Sequence, residues 1–267
     1  MEENTEMLGG SGLRFTVLGP LRVAAADRAY AVQGVKVKTI LATLIARANR
    51  TVGVEALGNE LWGAQRPRHP ETTVRMHIYH LRQALTQHLG VPGDSIVRTQ
   101  SPGYRLAVDA DRIDAGRFEA CGERGVDLLR RGLPAEAAAI SHAALRLWQG
   151  PSALTDVAPG PILGSYVTHL EEMRLRVLGC YTDALMALNR HEDAIPPLRE
   201  LVADHPLNES FHARLIAALH HTGRRADALH AFHNLRAVLS AELGLEPSAE
   251  LLALQREILH TSRVMLR

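Results

Sequence analysis

Hydrophobic and polar positions follow two different rhythms along this chain, and the change between them divides it. The run Leu13-Arg14-Phe15-Thr16-Val17-Leu18-Gly19-Pro20-Leu21-Arg22-Val23 is partly alternating and β-branched, which predicts a strand broken by a Gly-Pro turn. Ala29-Tyr30-Ala31-Val32 reads as a second extended piece. Three helical patterns follow with no strand between them. The first carries Val37, Ile40, Leu41, Leu44 and Ile45 on one face and stops near Asn49. The second carries Val54, Leu57, Leu61 and Trp62 and stops at Gly63. The third opens after Pro67 and Pro70, sets Val74, Ile78, Leu81 and Leu85 in one stripe, and ends at Gly90 and Pro92. Ile96-Val97-Arg98-Thr99 and Tyr104-Arg105-Leu106-Ala107-Val108 flank Ser101-Pro102-Gly103 as a hairpin. Strands, three helices and a closing hairpin, in this order, are the layout of a winged helix-turn-helix.

From Asp114, a plausible N-cap for a helix carrying Phe118, Cys121, Val126 and Leu129, no strand signal remains. The chain alternates helices with short turns, and it repeats. A shift of 34 positions aligns Asp193 with Asp227, Ala194 with Ala228, Leu198 with Phe232, Leu201 with Leu235 and the turn residue Asn189 with Gly223. That is the period of a tetratricopeptide helix pair, whose small Ala lets two helices approach. An earlier pair near 114–131 and 134–148 fits more loosely, with Ala137 in the small-residue place, and the helix after Pro247 reads as a cap. The expected fold is mainly α: a flexible tail over 1–12, an α+β winged helix over 13–110, and an all-α tetratricopeptide-like domain over 111–267. On this division a cut after Asp111 leaves a soluble DNA-binding fragment.

Charge sharpens the division. The net charge is only +1, yet residues 13–110 hold 13 basic against 6 acidic side chains, and residues 111–267 hold 17 against 20. A basic front and a mildly acidic back suit different partners. Of the 30 basic residues, all but Lys36 and Lys38 are Arg, a bias that a GC-rich genome writes. No apolar run approaches the roughly 20 residues of a membrane span, and the acidic N-terminus does not read as a signal peptide. The expected location is cytoplasmic, at the nucleoid. Cys121 and Cys180 have no ligand-spaced neighbours, so neither a disulfide framework nor a zinc site is expected.

Catalytic motifs are missing: there is no phosphate-binding Gly-rich loop and no nucleophile elbow, so neither an enzyme nor a cofactor is expected. The His-rich stretch with His220, His221, His230 and His233 lacks the further ligand that a helical zinc site needs. Nucleic-acid chemistry has more to work with. With Val74 facing the core, the third helix turns Thr72, Met76, Tyr79 and Gln83 outward, flanked by Thr73, Arg75, His80 and Arg82. These side chains can donate to purine edges or phosphates, or meet a thymine methyl. Lys36 and Lys38 at the first helix, with Arg98 and Arg105 on the hairpin, are expected to neutralise phosphates and set register.

Several stretches resemble a known family over nearly the whole chain. Val17-Leu18-Gly19-Pro20-Leu21-Arg22-Val23, Leu61-Trp62-Gly63, His77-Ile78-Tyr79-His80-Leu81-Arg82-Gln83-Ala84-Leu85 and Thr99-Gln100-Ser101-Pro102-Gly103-Tyr104-Arg105-Leu106 resemble an OmpR-type winged helix. Leu145-Arg146-Leu147-Trp148-Gln149-Gly150, Leu170-Glu171-Glu172, His205-Pro206-Leu207 and Glu242-Leu243-Gly244-Leu245-Glu246-Pro247 resemble the bacterial transcriptional activation domain. Together they look like a small member of the Streptomyces antibiotic regulatory protein family. The resemblance implies a pathway-specific activator of a secondary-metabolite gene cluster. It would bind direct repeats in promoter DNA as two copies, head to tail, and engage RNA polymerase. Larger relatives add an ATPase module, of which no Walker sequence is seen here, and unlike response regulators with the same winged helix this protein is expected to work without a receiver domain. Two other readings are a helical-repeat adaptor, which has no need of a basic front half, and a repressor gated by an effector in the repeat groove.

Overall fold

The computed structural model describes residues 12–26 and 28–260, so the tail expected over 1–12 lies outside them except for Gly12. The chain forms two compact units: residues up to Cys121 together with Ala144–Arg174, and Gly122–Ala143 together with the chain from Leu175.

In the first unit β1 (Leu13–Thr16), β2 (Arg22–Ala25) and β3 (Arg28–Tyr30) form an antiparallel sheet in that order, with Phe15 opposite Val23. Then come α1 (Val35–Ala46), β4 (Val52–Gly53), α2 (Val54–Trp62), α3 (Pro70–Leu89), the single turn α4 (Gly93–Ile96), β5 (Val97–Gln100) and β6 (Gly103–Leu106). β4 overturns the expectation that no strand separates the helices. Two residues are too few to show alternation, and what holds them extended is non-local pairing of Val52 with Tyr104. The three helices meet over Ile40, Leu41, Leu44, Leu57, Val74, Ile78, Leu81 and Leu85, each at most 1% exposed. Burial of each contributes about 1.5–3 kcal/mol, so the stripe on α3 fixes which face that helix shows to solvent. The Tyr30 ring stacks on His88, 4.2 Å between centroids, and ties the first sheet to the end of α3.

Asp114 accepts the N–H of Ala115 in the first turn of its own helix (2.8 Å), as a residue at a helix start should, and also reaches a distant strand end. It is the first residue of α5 (Asp114–Arg130), and its carboxylate accepts the backbone N–H groups of Val17 (2.9 Å) and Leu18 (3.1 Å) just after β1. Residues 144–174 are fastened to the same unit. Gln149 and Leu154 donate their N–H groups to the carbonyls of Leu18 (2.6 Å) and Val17 (2.9 Å). Asp156 accepts from the N–H of Leu21 (2.8 Å) and pairs with Lys38 at 2.7 Å. Burial alone would raise the Asp156 pKa, but Lys38 and the Leu21 N–H outweigh it and hold the carboxyl below its ordinary value. Glu60, buried on α2, accepts from Gly160 (2.8 Å), Ile162 (2.7 Å) and Leu163 (3.1 Å) at the N-terminus of α7 (Pro161–Ala187). Those groups have no carbonyl partner within the helix, and the helix dipole favours a carboxylate there. Gly160 is required at this approach, since a β-carbon would stand 2.7 Å from Glu60 Cδ.

The second unit holds the repeats. Along the chain α5 precedes α6 (Pro134–Leu145), α7 precedes α8 (His191–Asp204), α9 (Glu209–His221) precedes α10 (Arg225–Leu243), and α11 (Ala249–His260) follows. Each turn carries a positive φ, at Gly132 (73°), Asn189 (58°) and Gly223 (76°). Five residues later stands an Ala with no exposure: Ala137, Ala194 and Ala228. The left-handed residue reverses the chain, and the small one lets the second helix of the pair close onto the first. The 34-residue alignment is therefore a structural repeat, and the looser first pair obeys the same spacing. Beyond it α11 buries Leu251 and Ile258 against the core, as a cap should.

His212 on α9 is 5% exposed, with Nε2 3.0 Å from the carbonyl oxygen of Pro206 and Nδ1 buried without a partner. Burial pushes its pKa below the ordinary 6.5, against smaller opposite pulls from that carbonyl and Glu209. The unfolded chain then binds more protons just below pH 6.5, so stability falls as pH drops through that window. Thermal melts at pH 7.5 and 5.5 should show a lower midpoint in acid, and His212→Gln should reduce the difference. An unchanged difference would assign the acid sensitivity to other groups.

Candidate nucleic-acid interface

α3 is twenty residues long, begins with Pro70 and ends before Gly90 in the left-handed conformation. With Val74, Ile78, Leu81, Leu85 and Leu89 buried, it presents Thr72, Arg75, Met76, Tyr79, His80 and Gln83 on the exposed side. Met76 is 46% and Tyr79 59% exposed, which puts two large side chains among the polar and basic ones on this face. Arg75 makes only a long contact to Glu71, at 3.4 Å and open to solvent. Such a pair is weak, and a phosphate could displace it.

The structure does not bring every expected cation to this face. Lys36 Nζ donates to the carbonyl of Leu61 at the end of α2 and stands 5.8 Å above the Trp62 ring, a cation at a helix C-terminus. Lys38 is held by Asp156. Arg82 is half-buried and turned to the hairpin, donating to the Val97 carbonyl and to Thr99 Oγ1. Thr73, also half-buried, donates its hydroxyl to the His69 carbonyl at 2.9 Å. Thr73 and Arg82 flank the exposed side of α3, as its periodicity predicts, but their polar groups are engaged within the fold. Thr73 is held within its own helix turn, whereas the partners of Lys36, Lys38 and Arg82 are distant in sequence, and no local pattern announces those.

On the hairpin Val97 faces Leu106 and Thr99 faces buried Tyr104, so the alternate pair Arg98 and Arg105 shares the opposite face. Like charges directly across a ladder repel. Arg98 is exposed, its Nε only 3.2 Å from the Ser95 carbonyl, while the Nε of half-buried Arg105 is buried without a hydrogen-bond partner. No carboxylate pairs with either among the described residues. Residues that the periodicity argument passed over are Arg66, Arg68 and His69, exposed in the segment that leads into α3. Their signal was present, as basic residues crowded around Pro67 beside a helix N-terminus. His77 lies half-buried on α3, and burial, with His80 and Lys36 near it, lowers its pKa, which keeps the ring neutral near pH 7.

A buried-faced helix with a polar-to-basic outer side, next to a two-stranded hairpin carrying paired arginines, defines a winged-helix transcriptional regulator. Two family models match it: residues 34–106 match the C-terminal transcriptional regulatory protein domain, and residues 113–259 the bacterial transcriptional activator domain. Regulatory protein DnrI of Streptomyces peucetius is 38% identical over 251 residues, covering 92% of each chain. The transcriptional regulator RedD of Streptomyces coelicolor is 32% identical over 257 residues, 96% of this chain and 73% of its own. The solved structure of Mycobacterium tuberculosis EmbR, in complex with a low-affinity phosphopeptide, superposes with a TM-score of 0.86 at 30% identity, over 93% of this chain and 65% of that one. The chain belongs to the Streptomyces antibiotic regulatory protein family. Its relatives are regulators, not enzymes, and among the described residues no helix is long and apolar enough to cross a membrane.

Proposed function

We propose that this protein is a pathway-specific transcriptional activator for an antibiotic-type biosynthetic gene cluster. Two copies bind head to tail on direct repeats upstream of a promoter, and the helical repeats engage RNA polymerase. The observation that carries the reading is the exposed side of α3, where Tyr79 and Met76 stand among Thr72, Arg75, His80 and Gln83 above a filled core. Helix and hairpin divide the work: the α3 face reads base edges, and Arg98 and Arg105, joined by Arg66 and Arg68, take phosphates. Head-to-tail copies on one face of DNA need repeats about one helical turn, roughly 10.5 base pairs, or a multiple apart. The test is a gel shift on promoter fragments from the gene's own neighbourhood at several salt concentrations. Sequence-selective binding should weaken steeply, with a log–log slope of about −0.9 for each phosphate neutralised. Folded protein that binds no neighbouring promoter selectively would refute the reading.

One observation favours a second reading. A cavity of about 570 Å³ in the repeat unit is lined by Val126, Leu129, Cys180 and Phe211 together with the charged Arg130 and Asp183. That is a drug-sized volume, and an effector bound there would make the regulator ligand-gated.

A further inference from the structure

Arg75 and His80 on α3 are exposed, whereas Arg82 is committed. Its Nε and Nη2 both donate to the Val97 carbonyl, at 2.9 and 2.6 Å. Nη2 donates again to Thr99 Oγ1 at 2.9 Å, and Cζ stands 5.6 Å from the centroid of the Tyr104 ring. All three partners belong to the β5–β6 hairpin, and the whole Nε–Nη2 edge of the guanidinium is used. Val97, Thr99 and Tyr104 share the inner face of the hairpin, while Arg98 and Arg105 stand together on the outer face. Holding the inner face therefore fixes where the outer arginines point.

We propose that Arg82 is a positioning residue, not a cation for DNA: it locks the hairpin against α3 so that helix and paired arginines meet one duplex at a set spacing. The inference rests on the DNA-reading role of α3. A planar fork is what the geometry asks for, because Nε and Nη2 must both reach the Val97 carbonyl while the second Nη2 hydrogen reaches Thr99. Lysine would keep the charge and lose the fork. The Nη1 donors stay uncommitted, so the rival role, a phosphate contact, is physically open and must be separated by measurement.

The full-length protein is first used to enrich binding sequences from a random duplex pool, and affinities are then measured on the enriched duplex over a range of salt. Arg82→Ala is expected to weaken binding about tenfold with the salt slope unchanged, because the freed hairpin still brings Arg98 and Arg105 to the phosphates but must be ordered on the DNA to do so. Arg82→Lys should be nearly as weak. Thr99→Val should weaken binding by a smaller factor, and the double variant Arg82→Ala/Thr99→Val should be no weaker than Arg82→Ala alone, since both remove one linkage. Melting curves show which variants are folded, and Thr99→Val tests the linkage even where Arg82→Ala is not. Full affinity in Arg82→Lys, or a slope shallower by about 0.9 in Arg82→Ala, would overturn the proposal and make Arg82 a phosphate contact. Failure of the unaltered protein to enrich any sequence would instead sink the DNA reading itself, and this inference with it.

Discussion

Cutting the chain after Asp111 is expected to cost the winged helix its stable fold, contrary to what the boundary at 110 suggests. The cut removes Asp114, which accepts from Val17 and Leu18, and Asp156, which accepts from Leu21. It also removes the N–H donors of Gln149 and Leu154, and the end of α7 on which the Glu60 carboxylate rests. Phe118, Leu154 and Leu163, each at most 3% exposed, leave with them. Losing the apolar burial that three such side chains provide costs about 5 kcal/mol. That equals the lower end of the whole stability of a domain, roughly 5–15 kcal/mol. The fragment should therefore lack a cooperative melt under conditions where the intact chain is folded, as followed by circular dichroism. A melt within a few degrees of the intact chain would show that residues 144–174 lean on the winged helix without supporting it. Glu60→Ala in the full chain is the matching point test. It strands three N–H groups at a buried site and should lower stability by about 3 kcal/mol, with Glu60→Gln, which keeps one acceptor oxygen, in between.

That contrast also marks where sequence reasoning reached and where it stopped. Helices with a clear 3.6-residue stripe were legible, because periodicity depends only on which residues are apolar, and the stripe on α3 gave its outer face as well. The 34-residue repeat was legible because helix pairing demands a left-handed turn and a small residue at set places. What stayed hidden depends on pairs far apart in sequence. β4 exists through Tyr104, Glu60 finds its donors a hundred residues on, and Lys38 finds Asp156 at a separation of 118. A lysine at the start of a helix looks the same in sequence whether it meets a phosphate or a carboxylate. The charge of the front half is thus a poor guide to which cations are available, since Lys36, Lys38 and Arg82 are occupied within the fold.

Arg75→Ala and Tyr79→Ala should each reduce the preference for an enriched operator duplex over random duplex by about ten- to a hundredfold, or about 1–3 kcal/mol of discrimination. Arg98→Ala should instead weaken both duplexes by a similar factor and make the salt slope shallower by about 0.9. The split follows from position. Arg75 and Tyr79 project from a helix whose opposite side is fully buried, so their side chains have one place to go when α3 enters a groove. Arg98 lies on a hairpin beside Arg105, a pairing suited to a polyanion and indifferent to base identity. Lys38→Ala supplies the control that the structure makes possible. Its ammonium is bound to Asp156, so the variant should lower the melting temperature and leave the salt slope unchanged. If Arg75, Tyr79 and Arg98 variants lose affinity for both duplexes alike, α3 is not the reading element, and the exposed Met76 and Tyr79 are better explained as a surface for protein. If Lys38→Ala flattens the slope, the ion pair to Asp156 opens when DNA binds, and the same lysine serves the fold in the free protein and the phosphates in the complex.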